Sequence, residues 1–162
     1  MTQRDFSSPG QQVLGLWRRL SGKPGGRRLF TWLLGRQVPY TGSIGARVEQ
    51  LDPGHCKVTL RDRRRVRNHL NSVHALALAN LGEMVSGLAM LTQLPPSVQG
   101  IVTNINTEYH KKARGALLAE SQVQLQPVDA PRQEVIQAHI RDQNGDEVAT
   151  TTVTWSLRPK GN

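Results

Sequence analysis

Between Val73 and Gln93 runs a segment of helical length that has no polar face. At about 100° per residue, Ala75, Leu76, Ala77, Leu78, Leu81, Met84, Val85, Leu88, Ala89 and Leu91 point in almost every direction. A helix on a protein surface carries one apolar stripe and a polar remainder. This one must be enclosed by the rest of the chain on most of its sides. The exceptions, Asn80, Glu83 and Gly87, fall in one narrow sector, so the polar groups share a stripe. A carboxylate in such surroundings is paired or working, because glutamate is rarely buried otherwise.

The flanking periodicity says what does the enclosing. Ile44, Ala46 and Val48 alternate before Asp52-Pro-Gly54, and Cys56, Val58 and Leu60 alternate after it, a hairpin pattern with a short turn. The long helix is expected to start after Asn71-Ser72, either of which can cap it, and to stop at Leu94-Pro95-Pro96. Four further strands follow. Ile101, Thr103, Ile105, Thr107 and Tyr109 alternate, as do Leu117 to Leu125 and Ile136 to Ile140, and Val148–Leu157 is rich in threonine and valine. Gln143-Asn-Gly-Asp146 is a strong turn signal between the last two. The expected class is α+β, a curled antiparallel sheet of five or six strands wrapped around one long central helix. Before it, residues 1–40 read as an N-terminal helical segment, with short helices at Gln11–Ser21 and Arg27–Gly35, and residues 41–160 as the main domain. Leu14, Trp17, Leu20, Phe30, Trp32 and Leu33 are expected to cover one end of that domain; arginine beside tryptophan also permits a membrane-interface helix.

The chain carries a formal charge of +9, which admits nucleic acid, anionic lipid and phosphorylated partners on charge alone. Its basic residues lie in separate groups at 18–19, 27–28, 61–67 and 111–114. The last two groups contain very few aromatics, so no stacking platform is visible and a nucleic-acid partner is not expected. No apolar run approaches the roughly 18 residues that span a bilayer, and the start lacks a signal-peptide core, so stable membrane insertion is not expected and a cytoplasmic address is. Cys56 reads as a packed thiol, and no metal-ligand spacing occurs.

The element order and the residues at the helix start resemble the hotdog fold, specifically its thioesterase-like branch related to phenylacetate-pathway thioesterases. In that branch an Asn precedes a His-Gly-Gly by six residues and an acid follows the His by nine. Asn68, His74 and Glu83 match these offsets together. Val38-Pro-Tyr40, Arg67-Asn68, His74-Ala75, Glu83 and Glu108-Tyr-His-Lys-Lys-Ala-Arg-Gly115 are similar to the DUF4442 type of hotdog protein. Here Ala75-Leu76 replaces Gly-Gly; alanine still supplies a backbone N–H, and Leu76 narrows the space. The hydratase branch has an Asp five residues before the helix-start His, where this chain has His69.

The resemblance implies an acyl thioester hydrolase acting on acyl-CoA or acyl-carrier-protein substrates, with coenzyme A present only as part of the substrate and no further cofactor. N–H groups of Ala75 or Leu76 would stabilise the negative carbonyl oxygen, and Glu83 would activate water or attack the carbonyl. His74 and Glu83 lie about 13 Å apart along one helix, too far to meet at one carbon. A homodimer, or a homotetramer built from dimers, brings them together by packing two helices antiparallel. Each assignment has a structural competitor: His74 fixes the loop, Asn68 satisfies turn backbone, and Glu83 bonds across a dimer. Thr103 either orients water or is an ordinary strand threonine. Arg65, Arg67, Lys111, Lys112 and Arg114 either hold coenzyme A phosphates or are solvated. A non-catalytic acyl-CoA binder is the alternative function, followed by a basic nucleic-acid or membrane-surface binder.

Overall fold

The computed structural model describes residues 8–161, so residues 1–7 of the expected 1–40 segment lie outside the described residues. The apolar segment forms α4, Ala75–Leu91, and twelve of its seventeen residues are buried. Six antiparallel strands curl around it in the order β1-β2-β4-β5-β6-β3. These are β1 Arg47–Asp52, β2 His55–Leu60, β3 Val98–Tyr109, β4 Leu117–Gln122, β5 Arg132–Arg141 and β6 Glu147–Pro159. This is the enclosing sheet that the helix pattern demands, since nothing less removes Leu81, Val85 and Met90 from water together, and it is the arrangement expected from the resemblance to the hotdog fold. Each such side chain contributes about 1.5–3 kcal/mol by burial.

Both expected turns form. Gly54 takes φ 77° between β1 and β2, and Gly145 takes φ 86° between β5 and β6. The helix lies so close to β6 that a Cβ on Gly82 would stand 2.1 Å from Thr151 Oγ1, which only glycine avoids.

Three helices precede the sheet: α1 Pro9–Leu20, α2 Gly26–Gln37 and α3 Pro39–Gly42. Ser8 and Gln11 cap α1 reciprocally. Leu14, Trp17 and Phe30 are buried, the two rings meeting edge to face at 5.0 Å. Trp32 departs from expectation: it is 57% exposed, on the side of α2 opposite to Phe30.

Two local expectations are corrected. The helix cap is not Asn71 or Ser72 but His74, whose Nδ1 accepts from Leu76 N–H at 3.1 Å. The regular alternation from Ile101 to Tyr109 is interrupted, because the β3–β6 register shifts between Val102 and Asn104. The bulge at Thr103 leaves Val102 facing the core with Trp155, and turns Ile105, Thr107 and Tyr109 to the same side as Val153, Thr151 and Ala149. Ile101 therefore lies on the outer face. β3 is a sheet edge, and Ile101, Ile105 and Tyr109 are all exposed along it.

Candidate functional site

The start of α4 is presented by a small loop that Asn68 organises. Its Oδ1 accepts from Leu70 N–H, Ser72 N–H and Ser72 Oγ at 2.9–3.2 Å, while Asn71 takes φ 52° and Arg67 bridges to Val73. Val73 N–H is tied to Ala113 O and His74 N–H to Val66 O, so the first turn is held from both sides. Tyr109 Oη reaches Ala75 O at 2.9 Å, which joins the open edge of β3 to the same point.

Within this turn the donors are not equivalent. Leu76 N–H is occupied by His74, and Ala77 and Leu78 N–H both go to His74 O. Ala75 N–H has no acceptor among the described residues and lies at an exposed position on the positive end of a long helix. Of the two expected donors, the structure leaves Ala75 free and commits Leu76.

Glu83 is half-buried two turns further along, and its carboxylate has no hydrogen-bond or ion-pair partner among the described residues. Burial pushes its pKa up from the ordinary glutamate value. Gly87 leaves room beside it: a Cβ there would lie 3.5 Å from Oε1. The open face of α4 thus carries an unpaired N–H at its start and an unpaired carboxylate near its middle. Eight residues of helix separate them by about 12 Å.

Thr103 does not join this group. It sits in the bulge, exposed, with its hydroxyl on Thr154 O at 3.3 Å. Thr107 turns inward instead and bonds Thr151 Oγ1 at 3.0 Å, against the helix at Gly82.

The basic candidates divide sharply. Arg67 is held by Asp62 at 2.6 Å, and Lys111 by Asp142 and Asp146 at 2.8 and 2.6 Å. Arg114 donates to Leu70 O and lies in the field of Asp62. Arg65 and Lys112 are exposed with no carboxylate partner among the described residues. Arg65 also borders a cleft of about 340 Å³ with His74, Leu76, Ala77, Asn80 and Tyr40. Asn80 belongs to the polar stripe of α4, and nothing in its sequence context marks a role for it. Its Nδ2 donates to Tyr40 O at 3.2 Å, and its Oδ1 is buried and unpaired. Ser43 and Arg65 line a second cleft of about 560 Å³ as well, which runs between α2 and α3 down to Met84. Its Trp32, Leu34, Val38 and Pro39 walls are apolar. The described residues contain no cluster of histidine, cysteine and carboxylates suited to a metal. None of their helices is long and apolar enough to cross a membrane.

Comparison with known proteins places the chain by family and by fold. Residues 26–157 match the family model described as Domain of unknown function (DUF4442), and the chain belongs to that family. No curated protein matches the sequence. Among solved structures, the structural-genomics protein APC5556 superimposes with TM-score 0.78 at 25% identity, over 92% of this chain and 97% of that one. PA5026 of Pseudomonas aeruginosa, a protein of unknown function called a probable thioesterase, gives TM-score 0.72 at 21% identity, covering 79% and 92% of the two chains. A thioesterase family protein of Silicibacter pomeroyi gives 0.64 at 17% identity, covering 80% and 96%. The chain thus has the fold of the hotdog, thioesterase-like superfamily.

Proposed function

We propose that this member of the DUF4442 family is a cytoplasmic acyl thioester hydrolase whose site is shared across a two-fold dimer, alone or within a dimer of dimers. The carrying observation is the pair of unsatisfied groups on one uncovered helix face, the Ala75 N–H and the Glu83 carboxylate, about 12 Å apart. Neither can serve the carbon that the other serves within one chain. With two copies of α4 packed antiparallel, the helix start of one subunit meets the middle of the other, and two composite sites result. The open β3 edge with Ile105 and Tyr109 supports such a contact.

In that arrangement Ala75 N–H holds the carbonyl oxygen as it gains charge. Glu83 of the partner subunit takes a proton from water as it attacks the thioester carbon, or attacks directly to give an anhydride that water then opens. The C–S bond breaks, the thiolate leaves and is protonated, and a carboxylic acid and a free thiol are the products. Asn80 brings a buried acceptor to the cleft at the helix start, and the adjoining apolar cleft offers volume for an acyl group. Of the basic residues, Arg65 and Lys112 are free to meet the phosphates of coenzyme A, whereas Arg67, Lys111 and Arg114 would first have to exchange their present partners. Asn68 and His74 act through the loop and cap they form. Thr103, held at the bulge, is left without a part in the chemistry.

Leu76 favours a second reading. It is 65% exposed and lines the cleft where the related enzymes carry glycine, which suits an acyl-CoA binder without turnover. A panel of acyl-CoA esters with free-thiol detection, beside light scattering, separates these. Turnover by a dimer or larger assembly is expected. Binding without turnover supports the second reading, and a monomer would remove the composite site.

A further inference from the structure

The N-terminal helices carry a basic outer surface that the thioester chemistry leaves unused, apart from the Trp32 wall of the apolar cleft. From Pro9 to Val48 the chain has seven cations, Arg18, Arg19, Lys23, Arg27, Arg28, Arg36 and Arg47, and no carboxylate. Glu49 takes two of them, Arg27 at 3.5 Å and Arg47 at 2.6 Å. The other five are exposed, with no acid beside them among the described residues. On α2 the spacing places Arg28, Leu29, Trp32 and Arg36 within about 100° of the helix circumference. The opposite side holds Phe30, buried against Trp17. Leu29 and Trp32 are 46% and 57% exposed, and the Arg36 guanidinium lies 5.1 Å above the Trp32 ring.

Apart from the ring face under Arg36, Leu29 and Trp32 leave apolar area in water between two arginines that have no carboxylate partner among the described residues. The same arrangement suits the boundary between lipid headgroups and acyl chains. There the indole and leucine enter the apolar layer, while arginines reach the phosphates with their stems along it. We propose that the outward face of α2 is a docking surface for an anionic lipid bilayer, reinforced by the neighbouring cations of α1 and of the loop at Lys23. The contact is peripheral, because the face is a single short helix whose far side is committed to the core. Docked in this way, the apolar cleft whose rim Arg28, Trp32 and Arg36 form opens toward the lipid. The proposal stands apart from the hydrolase reading and survives or fails without it.

Co-sedimentation of the full chain with phosphatidylcholine vesicles, with and without phosphatidylglycerol, tests it. Binding is expected only to the anionic vesicles, and it should weaken strongly between about 0.1 M and about 1 M salt, as screening shortens from about 10 Å to about 3 Å. Trp17 and Trp155 are buried, so a blue shift of tryptophan fluorescence on binding reports Trp32. Arg28→Gln with Arg36→Gln should lower the partition coefficient about 25-fold, about fivefold for each cation. Trp32→Ala should remove the fluorescence shift. All three positions are exposed, so the variants should keep the parent melting temperature. Equal binding to neutral vesicles, no binding, or unchanged binding of the folded variants would overturn the proposal. So would capture of monomeric dodecyl phosphate without vesicle binding, which would make the cleft a single-molecule pocket. A parent dimer, seen by light scattering, that Trp32→Ala dissociates would assign the face to a second copy and also overturn it.

Discussion

Replacing Ala75 with proline removes the amide N–H and puts the ring Cδ in its place, with the helix otherwise left as it is. Position 75 is the first residue of α4, where proline is tolerated because its missing N–H has no helical partner and its φ suits the helix. Proline also demands an extended residue before it, and His74 already has φ −64° and ψ 141°. The cap from His74 to Leu76 N–H and the Tyr109 bond to Ala75 O do not involve the deleted group. Stability should therefore hold or rise, by about 0.4–1 kcal/mol from the lower entropy of the unfolded chain. Turnover should not hold. If Ala75 N–H receives the charge of the carbonyl oxygen, its loss costs about 2.7–4 kcal/mol of transition-state stabilisation, a fall in kcat of about a hundred- to a thousandfold. Thiol release from an acyl-CoA ester, read beside thermal melting, measures both, and Ala75→Gly, which keeps the N–H, should remain within about tenfold of the parent. Parent-like turnover by folded Ala75→Pro would refute the donor assignment. A large loss of stability would refute the structural reasoning.

Asn68→Ala leaves Leu70 N–H, Ser72 N–H and Ser72 Oγ without their shared acceptor, so it should destabilise by about 1–3 kcal/mol, with activity falling in proportion to folded protein. Thr103→Val should leave kcat/KM within about twofold, since its hydroxyl reaches only Thr154 O. Because burial raises the Glu83 pKa, the acid limb of the pH–rate profile should have its midpoint above the ordinary value of 4.5. The sign for stability follows: a raised folded pKa favours folding of the protonated form, and that advantage is lost as pH rises through the folded value. Glu83→Gln should therefore gain melting temperature relative to the parent as pH rises to neutrality, and a loss there would mark a structural carboxylate.

The enclosure of α4 was legible because its pattern allows no other solution, and both hairpin turns announced themselves through glycine. The bulge was not legible. Val102, Thr103 and Asn104 read as ordinary strand, and one extra residue reverses every face beyond it, which is why Thr103 and Thr107, members of one alternating series in the sequence, end on opposite faces. The cap was misplaced for a related reason: serine and asparagine are the usual caps, but Ser72 is spent on Asn68 and the histidine takes the position. The basic groups looked equivalent in sequence. Lys111 meets carboxylates some thirty residues downstream, a pairing that only the fold creates.

The central claim is that Ala75 and Glu83 of one site belong to different subunits, and mixing two dead variants tests it most directly. Folded Ala75→Pro and Glu83→Gln chains, each inactive as a homodimer, are unfolded together in equal amounts and refolded. Half of the resulting dimers should be mixed, each with one intact and one doubly altered site, so activity should return to about a quarter of the parent rate. If both groups of a site came from one subunit, every site in the mixture would still carry a lesion, and mixed dimers without recovered activity would contradict the account.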